Sequence, residues 1–330
     1  MEQADLPNSC EDEMRETGIQ LLMDWFVSTV QALIDASGSS IALERMKQYG
    51  RHHGIAGGLI FRKNMGVTGS DAIAIATAMQ TANMAFGVGI ENFKASSELA
   101  VANVTSCLYE GCPMEACEAL CHTAGKGWCE GFSSEFDFDV PYALPRGDSH
   151  CLWVIRRKSR IYTPRDLGVE NLAPIPKPSI SKEDCQFWTA AVLGERWVIS
   201  TKAFVDFSGS TTALSMLKPY FRQSGLSFGI NYSKRLNIDG NDARVVSRIL
   251  DWMNSCMGQT GSTIWSSADE VEKVITYCPF SGSPSEICSE LEAFTNGICE
   301  AINPEYELTH TKAMCRGDET CRRVVRKKRT

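Results

Sequence analysis

The sequence predicts an α+β fold in which two diverged copies of one domain, each with helices packed on a small antiparallel sheet, follow each other along the chain. Three observations lead to this prediction: helical periodicity early in each half, short apolar runs around a Gly-Asp turn late in each half, and matching residues at a nearly constant offset. The 330 residues suffice for two domains of about 150 residues, each with its own core.

The repeat is visible when the chain is compared with itself at an offset of 171 positions, which needs no gap over residues 42–87. Residues 69–72 fall on 240–243, and near the ends the offset becomes 170 and residues 146–151 fall on 316–321. We therefore expect a first repeat domain at 1–162, a proline-rich linker at 163–181 and a second repeat domain at 182–330.

Helices are expected at residues 17–36 and 70–87 and at their counterparts 182–200 and 241–258. Asp71 and Asp242 precede the later helix of each copy and are placed to cap its first turn.

The last third of each copy predicts a helix followed by a hairpin. The segment from Cys112 to Cys129 reads as a helix that stops near Gly125 and Gly127. Beyond it, the apolar runs 142–144 and 152–155 flank a Gly-Asp turn and predict a short hairpin. Asp148 and its counterpart Asp318 are interpreted as turn formers.

Composition excludes several classes of protein. A hydrophobic content of 43% and a charged content of 22% are typical of a folded globular chain. The net charge of -7 argues against a positively charged surface that would bind a nucleic acid. The first apolar stretch, 18–36, has one apolar stripe interrupted by polar residues, which argues against a membrane span. The acidic N-terminus lacks a secretory signal. We expect a cytoplasmic protein.

The 14 cysteines are the main chemical feature of the sequence. Without an export signal, reduced thiols that bind a metal or act as nucleophiles are favoured over disulfides. Four thiols recur in each copy, and all-cysteine sets of four suit zinc or an iron–sulfur cluster. The alternative is that they are packing thiols, since free cysteine is often buried. The metal candidates are Cys107, Cys117, Cys129 and Cys151 in the first copy and Cys278, Cys288, Cys299, Cys315 and Cys321 in the second.

Some reactive residue types occur in the first copy alone. Cys112, Cys121 and His122 have no counterparts of the same type in the second copy, and a Cys/His pair is typical of nucleophilic catalysis. They are the catalytic candidates. A surface histidine is the alternative interpretation of His122 and of His150.

The spacing Cys, Pro, Cys, followed by Gly-Asp-x-x-Cys and an apolar strand, resembles the 4-vinyl-reductase domain. Residues 303–308, leading to Cys315 and Gly317-Asp318, are similar to the ending of the related 2-amino-thiazoline-4-carboxylate hydrolase-like family. The resemblance implies an α+β domain with an apolar pocket for a small ligand and a zinc ion held by cysteines. Pro145 replaces one ligand in the first copy. The matching positions are Cys107 and Cys151, and Cys278, Cys315 and Cys321.

Two functions remain open at this point. One is a metal-containing protein that binds a small molecule or cofactor, which the absence of a recognised catalytic signature favours. The other is a hydrolase that acts on a C–N or C–S bond of a small ring. Zinc is the expected cofactor, with an iron–sulfur cluster or haem as alternatives, and a small-molecule ligand or substrate is the expected partner. The oligomeric state does not follow from the sequence.

Overall fold

Helices and antiparallel sheets follow each other in the same order in both halves of the chain. The computed structural model describes residues 11–64, 66–160, 169–177, 179 and 181–328. In these residues the fold is α+β, which confirms the predicted fold class. The helices are α1 Glu11–Ser37, α2 Ser39–Asn64, α3 Ala72–Ala85, α4 Met114–Cys117, α5 Thr123–Phe132, α6 Lys182–Ser208, α7 Ser210–Arg235, α8 Ala243–Cys256 and α9 Ser285–Ile302.

Two antiparallel sheets contain the strands. One has the order β3-β4-β2-β1-β5 and the other β6-β7-β9-β8. Read from the opposite edge, the second sheet repeats the first four strands of the first sheet in order. These matching orders are what a duplication predicts, and the duplication itself stays an inference from the sequence. The strands are β1 Gly89–Ala95, β2 Leu99–Ser106, β3 Phe136–Asp139, β4 Cys151–Arg157, β5 Ala173–Pro174, β6 Thr260–Ser266, β7 Glu270–Tyr277, β8 Tyr306–Lys312 and β9 Cys321–Lys327.

The predicted caps of α3 and α8 are confirmed. Asp71 Oδ1 accepts a hydrogen bond from the backbone N–H of Ala74 at 3.0 Å. Asp242 Oδ1 accepts from Arg244 N at 2.9 Å and from Val245 N at 3.2 Å. Each aspartate satisfies backbone donors that have no partner inside the helix.

The helix predicted from Cys112 to Cys129 does not stop at its glycines. Helical backbone starts at Met114, includes a π-helical segment over Glu118–His122, and continues to Phe132. Gly127 serves close packing instead, because a Cβ there would lie 2.2 Å from the carbonyl oxygen of Arg51 in α2. The second half repeats this approach, since a Cβ on Gly297 of α9 would lie 2.1 Å from the carbonyl oxygen of Arg222 in α7.

The hairpin prediction is correct for one strand and wrong for the other. β4 includes the predicted run 152–155, but its partner strand is β3, and of residues 142–144 Tyr142 contributes a carbonyl oxygen that accepts from Leu152 N at 3.0 Å. A 3₁₀ turn over Leu144–Arg146 occupies that place and ends at Gly147, whose φ of 90° lies in the left-handed region that glycine favours. Asp148 Oδ2 accepts from Ala143 N at 2.7 Å, as expected of a turn former.

Part of the predicted linker forms an edge strand. β5 pairs with β1 through Lys94 and Ala95, and Leu172 packs on a buried cluster of Leu and Val side chains from β2 and β4. Residues 163–168 lie outside the described residues. The cluster consists of Leu99, Val101, Leu152 and Val154.

The chain divides into two compact units, and the divisions fall within α1 and α6. One unit contains residues 33–188, and the other contains residues 189–328 together with 11–32. In the latter, the fully buried Trp25 of α1 has its ring centroid 4.9 Å from Trp197 and 4.9 Å from Phe294. Most of α1 therefore belongs to the core of the second half, whereas the sequence prediction assigned it to the first copy.

In the described part of the chain, every helix is too short or too polar to cross a membrane.

Candidate functional site

Four thiols interact with one another in the first half, and we call them the first-half thiol cluster: Cys107, Cys117, Cys121 and Cys151. Cys107 hydrogen-bonds with Cys151, and Cys121 hydrogen-bonds with Cys117. Charge interactions join the two pairs, since Cys117 interacts with Cys151, and Cys121 interacts with both Cys107 and Cys151.

Two adjacent strands and one continuous helical segment bring these thiols together. Cys107 directly follows β2, and Cys151 begins the adjacent strand β4, where it lies opposite Val104. Cys117 ends α4, and Cys121 lies four positions later in the π-helical segment. Residues four apart share one face of a helix, and π-helical segments frequently occur at functional sites.

Backbone N–H groups point at two of the sulfurs. Tyr109 N donates to Cys107 Sγ at 3.5 Å, and Leu144 N donates to Cys151 Sγ at 3.2 Å. Hydrogen bonds to a sulfur favour its thiolate form, and bonds of this kind orient thiolates that bind metals.

In each of the two thiol pairs, one thiol donates a hydrogen bond to the sulfur of the other. The hydrogen bond from Cys107 lowers the pKa of Cys151 to about 7, and the Leu144 N–H and the charge of Arg146 act in the same direction. The hydrogen bond from Cys121 likewise lowers the pKa of Cys117. The pKa of Cys121 is raised by that same hydrogen bond and by burial. The pKa values of Cys151 and Cys117 are thus each lowered by a hydrogen bond from a neighbouring thiol.

The predicted quartet of the first copy differs from this cluster in one member. Cys129 is fully buried, its charged neighbours are Asp137, Lys158 and Glu130, and burial strongly raises its pKa. Cys299, its counterpart, is also fully buried, with a pKa raised to about 12 by burial. Both have the surroundings of packing thiols. Cys121, which the sequence offered only as a catalytic candidate, interacts with the other three thiols.

The remaining catalytic candidates have other contacts. His122 Nε2 lies 3.2 Å from Asp139 Oδ1, and the hydrogen bond from His122 lowers the pKa of that carboxyl. The thiol of Cys112 points at the carbonyl oxygen of Leu108, 3.7 Å away. The catalytic roles of Cys112, Cys121 and His122 stay predictions.

In the second half the corresponding thiols are partly oxidised. Cys288 and Cys315 form a disulfide, so the expectation of reduced thiols is wrong for this pair, and neither sulfur can bind a metal in this state. Cys278 and Cys321 remain free thiols and interact with each other. Their sulfurs accept N–H bonds from Phe280 and Met314, as their counterparts do in the first half.

The described part of the chain holds no preformed metal site. Across that part of the chain, no three His, Cys, Asp or Glu groups converge as a metal ion requires. Binding of an ion by the first-half thiol cluster therefore requires its side chains to turn toward a common point, and the metal site stays a prediction.

The interior of the second half contains charged residues that the sequence prediction missed. Lys273 of β7 and Arg323 of β9 lie directly opposite each other and are each only 4% exposed. Lys273 pairs with Asp251, whereas Arg323 Nη1 donates to the neutral Asn254 Oδ1 at 2.9 Å. Strand alternation could have shown that Arg323 shares a face with Cys321.

A second buried ionisable group lies among the helices of this half. Glu290 is fully buried and accepts hydrogen bonds from Trp197 Nε1 at 2.6 Å and from Thr201 Oγ1 at 3.1 Å. Burial raises the pKa of this carboxyl to about 8.

Known proteins give no further indication of the function. Comparison of the chain with family models, curated proteins and solved structures finds no match.

Proposed function

We propose that the protein binds a thiophilic metal ion, zinc first, through the first-half thiol cluster, and that the metal serves a site for a small organic ligand. The observation that supports this most directly is the neighbourhood of two hydrogen-bonded thiol pairs whose charges interact, with backbone N–H groups donating to two of the four sulfurs. Thiolates are the ligands that zinc and iron–sulfur clusters prefer, and four is the number that a structural zinc site takes. An iron–sulfur cluster or haem remains an alternative cofactor.

The low pKa of Cys151 supports the same proposal. A metal competes with protons for each thiolate, so thiols that are already ionised near neutral pH bind it at lower free-energy cost. Arg146, whose charge favours the thiolate of Cys151, would also partly balance the negative charge of a four-thiolate site. A reducing compartment keeps these thiols available, which is the reason to propose a cytoplasmic location; the Cys288–Cys315 disulfide points the other way.

The proposal is tested by metal analysis of protein purified without oxygen. We expect zinc in the wild-type chain, and loss of most of it in Cys107→Ala and Cys151→Ala. Cys112→Ala is the matched control, because its thiol is half-buried in the same half and points at a backbone carbonyl. Wild-type protein without any metal, or full metal content in both cluster variants, would reject the proposal.

The hydrolase alternative is favoured by one observation, the pair of His122 and Asp139. A carboxylate that orients a histidine is the arrangement of a general base, and Cys121 is the adjacent residue. The ring of His122 also lies edge-on to Phe138, with centroids 6.4 Å apart. Turnover of small heterocycles that is lost in His122→Asn and Asp139→Asn, with metal content unchanged, would favour this alternative.

A further inference from the structure

The most unusual charge in the second half is the guanidinium of Arg323. It is buried between β9 and α8, and its Nη1 donates a hydrogen bond to a neutral amide, that of Asn254. Burial accordingly lowers the pKa of Arg323. Its Nε has no hydrogen-bond acceptor among the described residues. A buried charge without a counter-ion is strongly destabilising, so a partner for it is expected.

The neighbouring charges leave one positive charge in excess. Lys273, opposite Arg323 on the adjacent strand, is neutralised by Asp251 and also donates to the carbonyl oxygen of Ser247 at 3.3 Å. Like charges directly opposite each other on two strands are unfavourable unless an anion lies between or beside them. The thiols Cys278 and Cys321 lie near Arg323 and would favour its charge only as thiolates. Burial raises the pKa of Cys278, however, which keeps that thiol protonated.

A second buried atom without a partner adjoins the same thiol. Gln259 is 6% exposed, donates from Nε2 to Cys278 Sγ at 3.6 Å, and leaves Oε1 without a donor among the described residues. Arg323 Nε and Gln259 Oε1 thus each lack a hydrogen-bond partner among the described residues, although both lie in the interior near Cys278. Buried polar groups in proteins are otherwise nearly always paired.

The positions of the first half that correspond to Lys273 and Arg323 hold uncharged residues. At the repeat offsets, Lys273 corresponds to Ala102 and Arg323 to Trp153, and both of these are buried. The charges are therefore not a requirement of the fold, since the first half packs the same strands with apolar residues. They point to a specialised task of the second half.

We propose that this interior site of the second half binds the carboxylate group of a small organic molecule, with Arg323 as its principal partner. A single excess positive charge matches a monoanion better than a phosphate dianion. Nη1 is engaged by Asn254, and the remaining Nε–Nη2 edge has the planar fork that binds a carboxylate with two parallel hydrogen bonds.

The test uses the full chain with acetate as the probe and acetamide as its neutral analogue, at an ionic strength held constant with chloride. Arginine Nε–H resonances of ¹⁵N-labelled protein report on the guanidinium directly. We expect one arginine Nε–H resonance, absent from Arg323→Lys, to shift saturably with acetate and not with acetamide. Acetate affinity should fall at least tenfold in Arg323→Lys and in Arg323→Met.

Arg322→Met is the control, because Arg322 precedes Arg323 on β9 but is exposed and paired with Glu272 at 3.2 Å. It should bind acetate as the wild type does. No acetate-specific shift in the wild-type chain would show that a water molecule or a thiolate satisfies Arg323 and would overturn the proposal. An equal acetate response in Arg323→Lys would also overturn it. The wild-type measurement stands even if Arg323→Met fails to fold.

Discussion

The ring of Trp25 lies against that of Trp197 with centroids 4.9 Å apart, which places most of α1 in the core formed by residues 189–328. Trp25 also contacts Phe294 of α9 and lies 6.2 Å from Phe221 of α7, so one side chain from the start of the chain meets three helices of the second half. Stability of the second half therefore depends on the first helix.

Trp25→Ala should lower the free energy of unfolding by about 3–5 kcal/mol, because it removes a fully buried aromatic side chain and leaves a cavity. Urea unfolding followed by tryptophan fluorescence measures this. Glu16→Ala, an exposed change on the same helix, should remain within about 0.5 kcal/mol of the wild type. A Trp25→Ala variant as stable as Glu16→Ala would contradict the assignment of α1.

Gly297→Ala should destabilise the chain by about 1–3 kcal/mol, because the added methyl group would lie 2.1 Å from the carbonyl oxygen of Arg222. Gly282→Ala is the matched control, since a Cβ there meets no atom within 4 Å. Thermal unfolding measures the melting temperatures of both variants, and Gly297→Ala should have the lower one. Equal melting temperatures would show that α7 and α9 do not approach each other through this glycine.

The buried carboxyl of Glu290 should make stability depend on pH. Its pKa is raised from 4.5 to about 8, so the protonated form is favoured in the folded state. The contribution of the protonated Glu290 carboxyl to the free energy of unfolding is complete below about pH 4.5. It is lost progressively as the pH rises toward about 8, and the free energy of unfolding then falls by up to about 1.4 kcal/mol per pH unit. Urea unfolding between these pH values should show this decline.

Glu290→Gln should flatten that dependence, because glutamine does not titrate and can still accept the hydrogen bonds of Trp197 and Thr201. Glu319→Gln, at an exposed site, should keep the dependence of the wild type. An unchanged decline in Glu290→Gln would mean that another group causes it.

The thiolate of Cys151 should form near neutral pH. Ultraviolet absorbance of thiolates in the metal-free, reduced chain should show a step near pH 7 that is absent from Cys151→Ser. Cys107→Ala should move this step to higher pH, since it removes the hydrogen bond that lowers the pKa of Cys151 most. A step that is unaffected by either change would assign the low pKa to a different thiol.

Local rules predicted much of the fold. Asp71 and Asp242 cap their helices, and Asp148 forms its turn, because these effects depend on neighbours within a few residues. Gly127 was misread, because its role depends on the distant carbonyl of Arg51 and not on its own helix. The place of Trp25 likewise depends on contacts with a distant part of the chain, which periodicity does not reveal.

The candidate site could be predicted only in part. Recurrence in both halves selected Cys107, Cys117 and Cys151, but it also selected Cys129, because a packing thiol recurs with the fold as readily as a ligand does. Cys121 has no counterpart and was therefore set apart from the quartet, although its spacing of four from Cys117 on a helix predicts a shared face.

The choice between Cys121 and Cys129 is the most direct test of the account. Stoichiometric zinc titration of reduced, metal-free protein should give tight binding in the wild type and in Cys129→Ala, and binding weaker by at least tenfold in Cys121→Ala. The reason is that Cys121 interacts with the other three thiols, whereas the charged neighbours of Cys129 are Asp137, Lys158 and Glu130. Tight binding that survives in Cys121→Ala and is lost in Cys129→Ala would contradict the assignment of the first-half thiol cluster as the metal site.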